Sequence, residues 1–193
     1  MSPQPVVWTV GHSNHEFEAF ADLVASEQVV FLVDVRSFPY SRFAPQFNRE
    51  DLQARIGGHG IRYLFLGDAL GGRPMRDEHY DAEGHALYGP MSEEPGFQAA
   101  IQRLLNGANA HRLAVMCSEG NPHSCHRRLL VGRVLAANGV ELRHILRDGS
   151  VAIERSVDVS AEPCQDSLFG EEELWRSTQS VSHRQRLSTS SPG

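Results

Sequence analysis

No apolar run in the 193 residues approaches the ~20 that a membrane-spanning helix needs, so no membrane span is expected. Cysteine is scarce. Cys117, Cys125 and Cys164 are an odd three, which excludes a secreted disulfide framework. Positive charge is outnumbered, 18 Lys and Arg against 24 Asp and Glu, for a net charge of −6. A global basic field for nucleic acid is therefore excluded. Local patches are not, since Arg73, Arg76, Arg127, Arg128 and Arg133 cluster in sequence. The stretch MSPQPVVWTVGHS lacks a basic segment followed by a long apolar one. No signal peptide is expected, and a cytoplasmic setting with reduced thiols follows. Internal repeats are absent as well.

What is present suits a globular domain: 40% hydrophobic and 22% charged residues. Val6–Val10 reads as a short strand ending at Gly11, and Ser13 or Asn14 is the expected cap of a helix bearing Phe17, Phe20, Leu23 and Val24. Val29–Val35 is an almost unbroken apolar run, as in a parallel strand buried on both faces. Asn48 is expected to cap a helix through Ile56, and Ile61–Leu66 reads as a third strand. Residues 67–95 form a long Gly- and Pro-rich connection, a length that usually signals function or mobility. A helix over 96–106, a strand over Leu113–Cys117, a helix from Cys125 to Ala137 and a strand over Glu141–Leu146 follow. Val151–Val159 adds at most an edge element.

This alternation predicts an α/β three-layer sandwich, Rossmann-like, with a mainly parallel sheet of about five strands over residues 1–150. Residues 151–193 read as an extension and a flexible C-terminal tail, acidic and then rich in Ser, Thr and Arg.

Ligands in such sheets bind beyond the carboxyl ends of the strands. Gly11, His12 and Ser13 stand after the first, and Asp34 and Arg36 close the second. Asp68, Gly71, Gly72 and Arg73 follow the third. After the fourth come Cys117, Ser118 and Glu119, then His123, Cys125, His126 and Arg127. Each alone reads as an ordinary loop residue; together on one rim they read as a catalytic site. Cys125 at a helix start meets the positive end of the helix dipole, which favours thiolate, and His126 and Arg127 push the same way. The expected roles are Cys125 as nucleophile or ligand, His126 as proton carrier, and Arg36 and Arg127 as anion clamps. Ser13, Tyr40, Phe43 and Arg73 are expected on the substrate side, with Tyr40, Phe43 and Phe47 able to stack on a base or to anchor the loop. Alternatively, Cys117, Cys125 and His126 bind Zn or Fe, with His12 or Asp34 as a further ligand, although the C-x7-C spacing is not that of a standard knuckle. Two buried structural thiols remain a third reading.

Three resemblances bear on these residues. VDVR with a strand-ending cysteine in MCSEGN resembles the rhodanese sulfurtransferase pattern, in which loop amides cradle a persulfide; the loop here is longer and carries Pro122. Cys125-His126-Arg127 is similar to the Cys-His-Arg tripeptide of DNA alkyltransferases. TVGHS (9–13), DVRSFPYSR (34–42), Phe47, the glycines of 70–72 and MCSEGNPHSCHRR (116–128) together resemble domain of unknown function 488, a bacterial and archaeal family. That resemblance implies an α/β fold without supplying a reaction. In the tail, Gln165, Leu168 and Phe169 of QDSLF are similar to the bacterial sliding-clamp-binding peptide. The readings that follow are a DNA-associated enzyme of repair or nucleotide processing, a rhodanese-like thiol enzyme acting on a small molecule, or a metal- or clamp-binding adaptor.

Overall fold

The computed structural model describes residues 4–154 and 175–182 of the chain. Strand β1 (Val6–Gly11) leads to helix α1 (Phe17–Ser26), then β2 (Phe31–Asp34), α2 (Arg49–Ile56) and β3 (Arg62–Phe65). The long connection holds two short helices, α3 (Gly67–Leu70) and α4 (Tyr88–Glu93), before α5 (Pro95–Ala110). Then come β4 (Leu113–Cys117), a π-helical stretch over Arg127–Gly132 that continues as α6 (Arg133–Ala137), β5 (Glu141–Ile145) and β6 (Val151–Ile153).

The six strands lie in the order β3-β2-β4-β1-β5-β6. All pairs are parallel except β5 with β6, which is antiparallel at the edge. The expected mainly parallel α/β sheet is thus present, with one more strand than expected. Among the described residues no helix is long and apolar enough to cross a membrane.

Period-two alternation along the strands builds two cores. Val7, Val33, Leu113 and Val115 join α4, α5 and α6 on one face. Trp8, Val10, Leu32, Ala114 and Met116 join α1 and α2 on the other. Helix α5 buries Phe97, Ala100, Ile101 and Leu104, one face at i, i+3, i+4 and i+7, and Pro95 pre-sets its first turn. The same spacing in α1 buries Phe17, Phe20, Ala21 and Val24.

Several local expectations are corrected. Neither Ser13 nor Asn14 caps α1: Glu16 stands at that position without a side-chain cap, and Ser13 takes a left-handed φ of 46° instead. Asn48 does precede α2, but its Oδ1 accepts the Ser41 backbone N–H at 2.7 Å. Part of the presumed tail is packed. Trp175 donates its Nε1–H to the Leu129 carbonyl (2.7 Å), and Ser177 exchanges hydrogen bonds with Ala86.

The connection leaving β1 runs to β2 and the one leaving β4 runs to β5, in opposite directions across the sheet. They leave to opposite faces, α1 on one and α6 on the other, and a crevice opens between the carboxyl ends of β1 and β4. The two ends are joined by the His12 N–H on the Cys117 carbonyl at 2.9 Å.

Gly11 makes this junction possible. A Cβ there would stand 1.9 Å from the Glu119 carbonyl oxygen. Gly11→Ala is expected to lower stability by about 3 kcal/mol or more, as overpacking of a rigid site does. Gly57→Ala, with open space around it, should be near neutral. Urea midpoints of the two variants check this.

Candidate functional site

The site grows from the last residue of β4. Leu113 and Val115 face the α5–α6 side of the sheet, so by alternation Cys117 faces it too. The chain then loops over residues 118–125 and returns as a helix. Arg127, 1% exposed, holds that loop in place. Its guanidinium donates to the carbonyls of Glu119 and, at 2.9 Å, Gly120, and its Nε–H reaches Thr9 Oγ1 at 3.4 Å. The expectation of Arg127 as an anion clamp is therefore corrected: its donors are directed at the protein's own oxygens. The helix opens with a π-helical stretch, a distortion frequent at functional sites.

The clamp brings four donors together. One ligand atom each from Cys117, Glu119, Cys125 and His126 lies within 4.8 Å of all the others. His126 Nε2 stands 2.9 Å from the Val35 carbonyl, which can only accept, so Nε2 carries a proton. Nδ1 then faces the sulfurs, 3.7 Å from Cys117 Sγ and 3.9 Å from Cys125 Sγ. The backbone of Gly72 presses on the ring; a Cβ there would stand 2.6 Å from His126 Cγ.

Electrostatics separate the two thiols. A hydrogen bond from Cys125 is the largest influence on Cys117; it outweighs burial and, with the His126 charge, lowers the Cys117 pKa well below the ordinary thiol value. Burial, then the hydrogen bond to Cys117 and its negative charge, push Cys125 well above it. The helix start favours Cys125 as the thiolate, whereas its burial and the neighbouring Cys117 push the other way. Burial opposes a charge on His126, but the adjacent Cys117 thiolate prevails and the His126 pKa rises. Glu119 is exposed as a residue, yet desolvation of its carboxyl, and then the thiolate, raise its pKa.

The opposite wall is locked. Asp34, fully buried, accepts bonds from Arg36 Nε (2.9 Å), Arg36 NH2 (2.6 Å) and the Tyr63 hydroxyl (2.7 Å). Arg36 also donates to the Phe47 carbonyl at 2.8 Å and to His12 Nε2 at 3.2 Å. His12 Nδ1 donates to the Ser13 carbonyl at 2.9 Å, so both ring nitrogens are committed to the neutral form. Burial, then Arg36, lower the His12 pKa to about 4. Arg36 is held on Asp34 rather than standing free as an anion clamp. Neither His12 nor Asp34 belongs to the four-donor cluster. Phe47 is fully buried and stacks on His12 at 4.4 Å, which makes it a core anchor and removes it as a base-stacking residue.

A cavity of about 300 Å³ connects the two walls, with Cys117, Glu119 and His126 facing His12 and Arg36. Phe38, Tyr40 and Arg73 line it on one side, and Tyr88 with Ser177, Thr178, Gln179 and Val181 on another. Phe43 lies outside this lining, 84% exposed, with Arg42 stacked on its ring at 4.6 Å. Ser13 opens on a second, larger cavity of about 700 Å³ beside β5 and β6. Gln165, Leu168 and Phe169 lie outside the described residues.

Several participants were not singled out from sequence. Tyr88 lies in the long connection and Ser177–Gln179 in the presumed tail, where a lone tryptophan, Trp175, is the one signal of packing. A third group is a polar chain across β1, β5 and β6. Thr9 Oγ1 stands 2.6 Å from His144 Nδ1, His144 Nε2 stands 2.7 Å from Glu154, and Arg128 holds Glu154 at 2.6 Å. It braces Thr9, on which Arg127 rests.

The family described as "Domain of unknown function DUF488" matches residues 16–134, from the residue before α1 into α6. Cys117, Glu119, Cys125 and His126 all fall within that span. No curated protein and no solved structure matches the chain.

The His12 environment gives a pH dependence of known sign. Its folded pKa of about 4 lies below the ordinary 6.5, so the unfolded chain binds a proton that the folded chain refuses. This group should therefore weaken the fold progressively as pH falls from 6.5 to about 4, with no further loss below. Urea midpoints across that range should decline less steeply in His12→Gln than in wild type.

Proposed function

The chain belongs to the DUF488 family, and, since that name assigns no activity, we propose from the site itself that it is an enzyme acting on a nucleotide or single-stranded nucleic acid. One observation carries the reading: the cavity holding the thiol and imidazole groups is lined at its side by aromatic and cationic side chains. Tyr40 is 58% exposed. Its ring offers a face on which a base can stack, an interaction worth about 1–3 kcal/mol. Arg73 lines the same cavity and has no acidic partner among the described residues, which leaves it for a phosphate. Phe43 and Arg42 extend this surface outward.

A net charge of −6 supplies no long-range attraction to DNA. The tail peptide QDSLF answers that objection. Bound to a sliding clamp through Gln165, Leu168 and Phe169, it raises the local concentration of the domain on DNA without a basic surface. The setting is then the cytoplasm of a bacterial cell, and the work is repair or nucleotide processing.

A second reading is favoured by the polar groups around Cys117 Sγ, His126 Nδ1 at 3.7 Å and Ser118 Oγ at 3.9 Å, and by a Cys117 pKa lowered below the ordinary thiol value. A thiolate so held can attack the sulfane sulfur of thiosulfate, break the S–S bond, release sulfite and keep a persulfide, as a rhodanese-like sulfurtransferase does. A gain in mass removable by cyanide is its signature.

Titration of a labelled single-stranded oligonucleotide tests the first reading. Phe43→Ala should weaken binding about tenfold, and Arg73→Ala should reduce the salt dependence by about one released counterion. Binding that is absent, or equal in wild type and both variants, overturns it. A peptide spanning QDSLF should bind a sliding clamp and lose that binding in Leu168→Ala; equal binding removes the tether.

A further inference from the structure

We propose that Cys117, Cys125 and His126 hold a zinc ion whose fourth position is left open beside Glu119. This deepens the enzyme reading by naming what the centre binds, and metal content is measured independently of oligonucleotide binding, so either can fail alone.

The first argument is distance. Tetrahedral zinc with Zn–S of about 2.3 Å and Zn–N of about 2.0–2.1 Å sets sulfur and nitrogen roughly 3.5 Å apart. The two Sγ–Nδ1 separations here are 3.7 and 3.9 Å. Contraction by a few tenths of an ångström brings both sulfur–nitrogen pairs to that spacing, and the two sulfurs, which need about 3.8 Å, already lie within 4.8 Å of each other.

The second is orientation. A histidine ligand almost always donates its other N–H to a carbonyl or carboxylate, which fixes the tautomer and aims the free nitrogen at the metal. His126 does this through Nε2–H on the Val35 carbonyl, and the Gly72 backbone holds the ring plane. The third is charge. Two thiolates neutralise a divalent ion, and the buried guanidinium of Arg127 stands beside the loop to offset the carboxylate of Glu119. Two thiolates with one imidazole form a borderline-soft set that suits zinc.

Glu119 decides the kind of site. Closed structural zinc sites take four protein donors, whereas catalytic sites take three and keep one position for water or substrate. Cys117, Glu119 and His126 all line the 300 Å³ cavity, so the open position faces the space a substrate would enter. Cys125 and Cys117 are buried at 0% and 2% exposure, while Glu119 remains accessible. A carboxylate there can hydrogen-bond a metal-bound water, whose acidity zinc raises to near neutral. The spacing obscured this because one ligand ends a strand and two begin a helix. The loop, not a knuckle, sets their separation.

The test uses the full chain without an affinity tag, purified without chelator. Elemental analysis should find about one zinc per chain in wild type and in Glu119→Gln, and far less in Cys117→Ser or Cys125→Ser. Cobalt substitution should give a thiolate-to-cobalt charge-transfer band in wild type and Glu119→Gln. Because a serine variant can lose its fold, alkylation of the wild type supplies a second measurement: two fewer thiols should react before chelation than after. Reduced, folded protein that takes up no zinc and shows no cobalt–thiolate band overturns the site. A cyanide-removable sulfur on metal-free protein overturns it too. Iron in place of zinc overturns the metal assigned. Loss of zinc in Glu119→Gln overturns the open position, since Glu119 would then be a ligand.

Discussion

A buried guanidinium organises this molecule. Arg127 is almost entirely enclosed, and every bond recorded for its side chain goes to an oxygen of the protein itself. Burying an unpaired charge costs several kcal/mol, so the carbonyls that receive it are held as firmly as it is. Both carbonyls belong to the loop after β4, and that loop brings Cys117 and Glu119 round to Cys125 and His126. The third acceptor, Thr9, is braced through His144 to Glu154 and Arg128. A chain of polar contacts therefore runs from the antiparallel edge of the sheet to its thiol centre. Gly11 is the steric condition for this arrangement, since any side chain there would displace the Glu119 carbonyl.

The two walls of the cavity are built on different principles. On one, Asp34, Arg36, His12 and Phe47 satisfy one another so completely that His12 resists protonation until about pH 4. That wall is rigid and chemically quiet. On the other, Cys117 and Cys125 divide a proton unequally, and His126 turns one fixed nitrogen toward both. Reactive groups set against a fixed background are pre-organised: little reordering is needed when a ligand arrives.

Much of this frame was legible in the sequence because strands carry their own signature. Val29–Val35 reads as a strand buried on both faces, and Leu32–Val35 are buried throughout. The carboxyl ends of the parallel strands, listed in order, name most of the groups that meet. What sequence cannot show is where a polar side chain spends its bonds. Arg36 and Arg127 look like free cations until their partners are seen. Cys125 looks activated by its helix start, yet burial and a neighbouring thiol oppose the effect. Phe47 looks like its exposed neighbours Tyr40 and Phe43 but lies in the core. The His144–Glu154 contact joins different strands, and no local pattern announces it. The residues over the cavity escaped for a similar reason: Ser177–Gln179 are polar by composition, and what holds them there is the exchange of bonds between Ser177 and Ala86 and the Thr178 hydroxyl on the Ser124 carbonyl.

That roof has a consequence for how the site communicates with anything outside it. Trp175 is pinned to the π-helical stretch through the Leu129 carbonyl and covered by Arg133, and the chain passes directly from it to the residues over the thiols. Any force or contact that shifts Trp175 is therefore passed to the segment lining the cavity, with the tryptophan as the fastening that keeps the two in step.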